Sequence, residues 1–108
     1  MVDSVACAEA IAVFGREHGE VFEVWTEVDV DCHRSGIVPD DDLLIAVGKV
    51  LTEGDLRAGG GVAHARSSYE YDTHAELVHI AEQERSGCVH PAESLRCAGI
   101  PCGVVSIG

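Results

Sequence analysis

The chain has 108 residues and a mass of 11.4 kDa, which is room for one domain with one modest core. Seven basic residues against nineteen acidic ones give a net charge of −12 at pH 7, which argues against nucleic acid or an anionic membrane as a partner. The longest uncharged run, residues 97–108, is too short for a membrane span, and we expect a single cytoplasmic domain over residues 1–108.

The first half of the chain predicts a helix, a strand and a second helix. An amphipathic helix is predicted over residues 4–18, with Gly19 as its stop. Residues 20–31 alternate between two faces, which is typical of a half-buried strand. The predicted inward face holds Phe22, Val24, Thr26, Val28 and Val30. The predicted outward face holds Glu23, Trp25, Glu27, Asp29 and Asp31. After a loop over residues 32–39, a second helix begins near Asp40 and ends at Gly54.

The second half is less regular. The three glycines at 59–61 predict a mobile turn over residues 54–61, and the alternation over residues 62–71 favours a strand. Asp72 or Thr73 caps a third helix that runs to about Arg85 and ends at Ser86-Gly87. A helical turn at 92–97 and a short strand at 103–107 complete the chain.

The predicted order is therefore helix, strand, helix, strand, helix, strand. The simplest architecture is an α+β fold, in which about three helices pack on a small three-stranded sheet, antiparallel or mixed. A sheet of three strands leaves exposed edges, and a homodimer would cover them.

Four potential metal ligands cluster near the C-terminus. They are Cys88, His90, Cys97 and Cys102. Thiolate and imidazole are the ligands that zinc prefers, so a zinc-stabilised structural domain is one alternative, although the spacing differs from the paired Cys-x2–4-Cys of compact zinc loops. A Cys97–Cys102 disulfide and inert core thiols are the other interpretations, and we expect no further cofactor.

The main alternative, ahead of the zinc-stabilised domain, is a small-molecule-binding or enzymatic domain with a pocket around His74 and Glu70. On a helical wheel His74 falls on the apolar side, four residues after Glu70, and a carboxylate at that spacing can orient an imidazole for base catalysis. A core histidine satisfied by a local hydrogen bond would give the same pattern. A weaker hypothesis is an anion-binding nest made by the glycines at 59–61 with His64 and Arg66 behind it.

The outward face of the predicted strand is the most unusual surface, because the only tryptophan lies among carboxylates of like charge. A basic protein partner would compensate that charge, with Trp25 as a buried anchor. From this surface, the sequence predicts a small acidic protein without catalytic activity, of the inhibitor or adaptor type, whose partner-binding residues are Glu23, Trp25, Glu27, Asp29 and Asp31. A solvated acidic surface and adaptation to high salt are the simpler explanations of the charge.

Overall fold

The computed structural model describes residues 1–31, 35–65 and 69–108. Helices and strands alternate along the chain, and this confirms the predicted element order. The six elements are α1 (Val5–His18), β1 (Glu23–Val28), α2 (Leu43–Glu53), β2 (Arg57–Ala63), α3 (His74–Cys97) and β3 (Val104–Ile107). The predicted loop at Cys32, His33 and Arg34 and the predicted cation Arg66 lie outside the described residues.

The three strands form one sheet in the order β1-β2-β3, and both pairings are parallel. The prediction of an antiparallel or mixed sheet is therefore wrong, and the fold is α/β rather than α+β. Parallel neighbours need a crossover long enough to return the chain to the starting edge, and α2 and α3 provide those crossovers. The alternation over β1 shows that one face is buried but carries no information about strand direction, so the sequence could not decide this point.

The core lies between the sheet and a layer of helices. Val24, Thr26 and Val28 of β1 point into it, as the alternation predicts, whereas Phe22 precedes the strand and is 37% exposed. Leu44, Val47 and Leu51 of α2 are buried against this face. α2 also packs against both α1 and α3, so the three helices form one continuous layer.

The glycines at 59–61 lie inside β2, and the prediction of a mobile turn there is wrong. The close neighbours of these residues explain why glycine occupies a strand. A Cβ on Gly59 would lie 2.5 Å from the indole Nε1 of Trp25, and one on Gly60 would lie 2.1 Å from the carbonyl oxygen of Val104. The absence of side chains therefore makes room for Trp25 and for the adjoining strand.

α3 begins where predicted but continues well beyond Gly87. Thr73 caps it through a reciprocal pair of bonds with Glu76, the capping box. The predicted stop at Ser86-Gly87 is wrong because Gly87 is a packing position: a Cβ there would lie 3.0 Å from Cγ1 of Val30. The helix includes the buried Pro91 and ends at Cys97.

Two short contacts extend the sheet beyond β1. Val2 forms a parallel bridge with Thr26, and Ile37 forms one with Val28, both on the edge of β1 that faces away from β2. Within the described residues, no helix has the length and apolar character needed to cross a membrane.

Candidate functional site at the carboxyl ends of the strands

The carboxyl ends of all three strands lie at the same edge of the sheet because the strands are parallel. The chain leaves β1 towards Asp29 and leaves β2 towards His64 at this edge. In parallel α/β proteins, ligands bind at the carboxyl ends of the strands, where loops from different strands converge. This edge is therefore the candidate location of a functional site.

The sheet face opposite the helices carries rows of side chains. One row consists of Trp25, Gly60 and Val104, which are paired across the three strands. The next row towards the carboxyl ends consists of Glu27, Val62 and Ser106. This face is polar at its carboxyl end and apolar at Trp25.

A small cavity of about 80 Å³ lies at the carboxyl end of this face. Its lining residues are Met1, Glu27, Val62, Ala63 and His64. The hydroxyl of Ser35 donates a hydrogen bond of 2.8 Å to Oε1 of Glu27, which fixes that carboxylate at the cavity wall. The ring of His64, which is half-buried, packs against Tyr69 with 5.6 Å between ring centroids.

Glu27 and His64 thus supply a carboxylate and an imidazole to one cavity. Both groups transfer protons in enzymes, and imidazole does so near neutral pH. The predicted strand pattern identified Glu27 as a surface residue, whereas His64 entered only as part of a glycine nest. Strand direction is what joins the two, because His64 lies near Glu27 only if β2 runs parallel to β1.

Two residues of α3 contact the backbone just beyond β1 and β2. The side chain of Gln83 donates a hydrogen bond of 3.0 Å to the carbonyl oxygen of Val30. The carboxylate of Glu84, which is buried, accepts a hydrogen bond from the backbone N–H of Ala65. The helix therefore holds the start of both loops that border the cavity.

The predicted acidic face is divided by the fold. Glu23, Trp25, Glu27 and Asp29 alternate with the buried residues of β1, as predicted, but Asp31 is itself buried. Trp25 packs on the glycines of β2 within the same chain, and its indole N–H donates a hydrogen bond of 3.2 Å to Glu23. The tryptophan therefore already has intramolecular packing and a hydrogen-bond partner.

The predicted metal ligands Cys88, His90, Cys97 and Cys102 are not brought together as one set. Cys88 and Cys102 are buried, whereas Cys97 and His90 are exposed, and His90 lies 3.1 Å from a carboxylate oxygen of Asp40. Over residues 1–31, 35–65 and 69–108, no three His, Cys, Asp or Glu side chains are placed to hold a metal ion. The thiols of Cys97 and Cys102 are both free, so the structure contains no disulfide between them.

The structure does not place His74 and Glu70 one turn apart on a helix. His74 is the first residue of α3 and is exposed, and Glu70 precedes the helix, so the spacing of one helical turn does not apply. Neither residue lines the cavity at the carboxyl ends. The histidine that does line it is His64.

A layer of helices on one side of a parallel sheet is the arrangement of an α/β fold. A model of the family described as "Alanine racemase, N-terminal domain" matches residues 1–108, and the chain belongs to this family. It is 60% identical over 109 residues to D-threo-3-hydroxyaspartate dehydratase from Delftia sp. strain HT23, a match that covers all of this chain and 29% of that protein.

Solved structures agree with this assignment. The Delftia dehydratase superposes with a TM-score of 0.97, covering 99% of this chain and 28% of that one. An alanine-racemase-like protein from Idiomarina loihiensis, 34% identical, superposes with a TM-score of 0.92 over the same shares of the two chains. An alanine racemase from Clostridium difficile, 16% identical over 99% of this chain and 28% of its own, has a TM-score of 0.79 and shows likeness of fold alone.

These findings overturn the prediction of a non-catalytic inhibitor or adaptor that binds a basic protein, since the chain is similar to enzymes along its whole length. The chain spans less than a third of the relatives it matches. One matching structure is a variant of the Delftia enzyme in a metal-free form.

Proposed function

We propose that this chain is one section of a closed α/β barrel and forms part of the wall of an amino-acid substrate site. The parallel strands follow one another in sequence order, and the helices form a single layer, as in a barrel in which the sheet closes on itself. The bridges of Val2 and Ile37 to the outer edge of β1 support continuation of the sheet on that side.

We further propose that the substrate is a 3-hydroxy amino acid and that the reaction is loss of water. The observation that carries this proposal is the 60% identity with D-threo-3-hydroxyaspartate dehydratase over the whole chain, together with the TM-score of 0.97. Racemisation of alanine is less well supported because the similarity to the C. difficile alanine racemase is only 16%.

The residues at the cavity suit this chemistry. Loss of water breaks the C–H bond at carbon 2 and the C–O bond at carbon 3, so one proton leaves carbon and one joins the departing hydroxyl. His64 is suited to proton transfer with the departing hydroxyl, since an imidazole ring can both donate and accept a proton. Glu27, oriented by Ser35, is suited to binding the ammonium group of the substrate.

A hybrid enzyme tests the proposal. The matching segment of the Delftia dehydratase is replaced by this chain, and loss of water from D-threo-3-hydroxyaspartate is followed. We expect the hybrid to be active, since 60% identity and near-identical backbones let the segment fit the remaining barrel. In this hybrid, His64→Asn should lower kcat by about 100-fold, the lower end of the range for a lost proton-transfer group.

Matched controls separate site effects from general damage. His79→Asn changes an exposed histidine of α3 and is the control for His64→Asn. Glu9→Gln changes an exposed carboxylate of α1 and is the control for the same substitution at Glu27, the proposed ammonium-binding residue. Both controls should leave kcat unchanged. A folded hybrid that racemises alanine but does not dehydrate 3-hydroxyaspartate would contradict the proposed reaction, and unchanged kinetics in His64→Asn would contradict the role of that residue.

A further inference from the structure

Glu84 of α3 is a buried carboxylate outside the candidate site. Only 9% of its surface is exposed, and it lies on the outer helix layer, away from the cavity. Burial of a carboxylate is costly unless hydrogen bonds satisfy it. Its carboxylate accepts the backbone N–H of Ala65, the residue that follows His64.

That hydrogen bond acts on the residue next to a site residue. Ala65 is fully buried, and its side chain faces the helices, whereas His64 lines the cavity on the other face of the sheet. Successive residues of an extended chain point to opposite faces. A fixed orientation of the Ala65 backbone therefore also fixes the direction in which the His64 side chain points.

The neighbouring contacts make Glu84 part of a rigid support. Gln83 binds the carbonyl of Val30, and Gly87 packs against the Val30 side chain, so α3 is closely apposed to the chain beyond β1 as well. The helix position is thus set independently of Glu84. A change at Glu84 then removes one hydrogen bond from the chain just beyond β2, while α3 keeps its contacts with Val30.

From these contacts we propose that Glu84 is a positioning residue for His64, acting through the Ala65 N–H. This inference rests on the proposed function, because the orientation of His64 matters to catalysis only if His64 lines the substrate site. Glu84 does not touch the cavity, and its effect reaches the reaction only through the imidazole.

The test uses the hybrid enzyme with Glu84→Leu, Glu84→Gln and the double variant Glu84→Leu with His64→Asn. Leucine keeps an apolar volume but removes the carboxylate that accepts from the Ala65 N–H, whereas the glutamine amide oxygen can still accept that hydrogen bond. We expect kcat to fall about 10-fold in Glu84→Leu, which is part of the roughly 10²–10⁴-fold that a proton-transfer group contributes in all. We expect kcat to recover in Glu84→Gln and KM to stay nearly unchanged in both variants.

The double variant distinguishes positioning from a merely structural role. If Glu84 acts through His64, adding Glu84→Leu to His64→Asn lowers kcat no further. A structural role would lower kcat by the same factor in either background, and that result would overturn the inference. Glu82→Leu is the matched control, because Glu82 is an exposed carboxylate on the same helix, and its variant should keep the kcat of the hybrid.

A second measurement is independent of activity. In a hybrid labelled at histidine, the imidazole NMR signals of His64 should shift or broaden in Glu84→Leu and stay unchanged in Glu82→Leu. An unshifted His64 signal in Glu84→Leu would overturn the positioning role even if the hybrid is active. An inactive but folded hybrid whose His64 signal does shift would instead contradict the proposed function and leave the positioning supported.

Discussion

Individual residues in this chain owe their chemical properties to where the fold places them. The cysteines illustrate this, because Cys7 and Cys97 are exposed whereas Cys88 and Cys102 are buried. Cys88 lies under β2, where its sulfur would be 3.8 Å from a Cβ on Gly61. Burial, with smaller contributions from the neighbouring Cys102 and Glu84, raises the pKa of the Cys88 thiol to about 11.

The raised pKa of Cys88 predicts a loss of stability in alkali. Between about pH 9 and about pH 11 the folded chain keeps the thiol proton that the unfolded chain has already lost. The folded state then binds more protons, so the contribution of Cys88 is complete below about pH 9 and is lost as the pH rises through the folded pKa. The stability difference between the hybrid enzyme and its Cys88→Ala variant should shrink over this interval.

Thermal melting at a series of pH values measures this difference. Cys97→Ser is the control, because Cys97 is exposed, and its difference from the unsubstituted hybrid should stay constant with pH. A Cys88→Ala difference that is equally constant would contradict the prediction.

Among the elements, β2 has little strand propensity of its own, and its neighbouring strands account both for its conformation and for its glycines. Its central glycines have low strand propensity, and hydrogen bonding to β1 and β3 on both sides compensates. The same neighbours exclude side chains, since Trp25 and the Val104 backbone occupy the space.

Gly60→Ala should therefore destabilise the hybrid enzyme by about 1–3 kcal/mol, the usual cost of forcing an extra methyl group into a packed site. The added Cβ would meet the Val104 carbonyl oxygen, which is backbone and can move away only if β3 shifts. Differential scanning calorimetry or urea unfolding measures the effect. Gly103→Ala is the matched control because no heavy atom lies within 4 Å of a Cβ at that position, and equal stability of the two variants would refute the explanation.

At the scale of the whole molecule, the sheet is open on both sides within the described residues. The far edge of β3 has no neighbouring strand there, and the outer edge of β1 has only the two bridges. Near that side, α1 and the start of β1 form an apolar groove of about 470 Å³ that includes the exposed Phe14 and Phe22. Unpaired edges and apolar surface favour association.

The 108-residue chain on its own should consequently associate with further copies of itself. The homodimer expected from the sequence is one form of this association and remains a prediction. Size-exclusion chromatography with light scattering at micromolar concentration should give a mass of at least twice 11.4 kDa. In the hybrid enzyme, the rest of the barrel should cover these edges and the groove. A sharp monomer peak for the chain alone would contradict the expectation.

Features that depend on near neighbours along the chain could be predicted from the order of the residues. The alternation over residues 20–31 identified β1 and its buried face, the dipeptide Asp72-Thr73 indicated the start of α3, and Gly19 indicated the end of α1. These signals are local because they arise from side-chain periodicity and from backbone groups within a few residues.

Three features could not be predicted in this way: the direction of the strands, the strand through the glycines at 59–61 and the continuation of α3 past Gly87. Each depends on contacts between residues distant in sequence, such as Trp25 with Gly59 or Val30 with Gly87. The candidate site has the same origin. Glu27 and His64 are 37 positions apart, and parallel pairing of β1 with β2 is what brings them to one cavity.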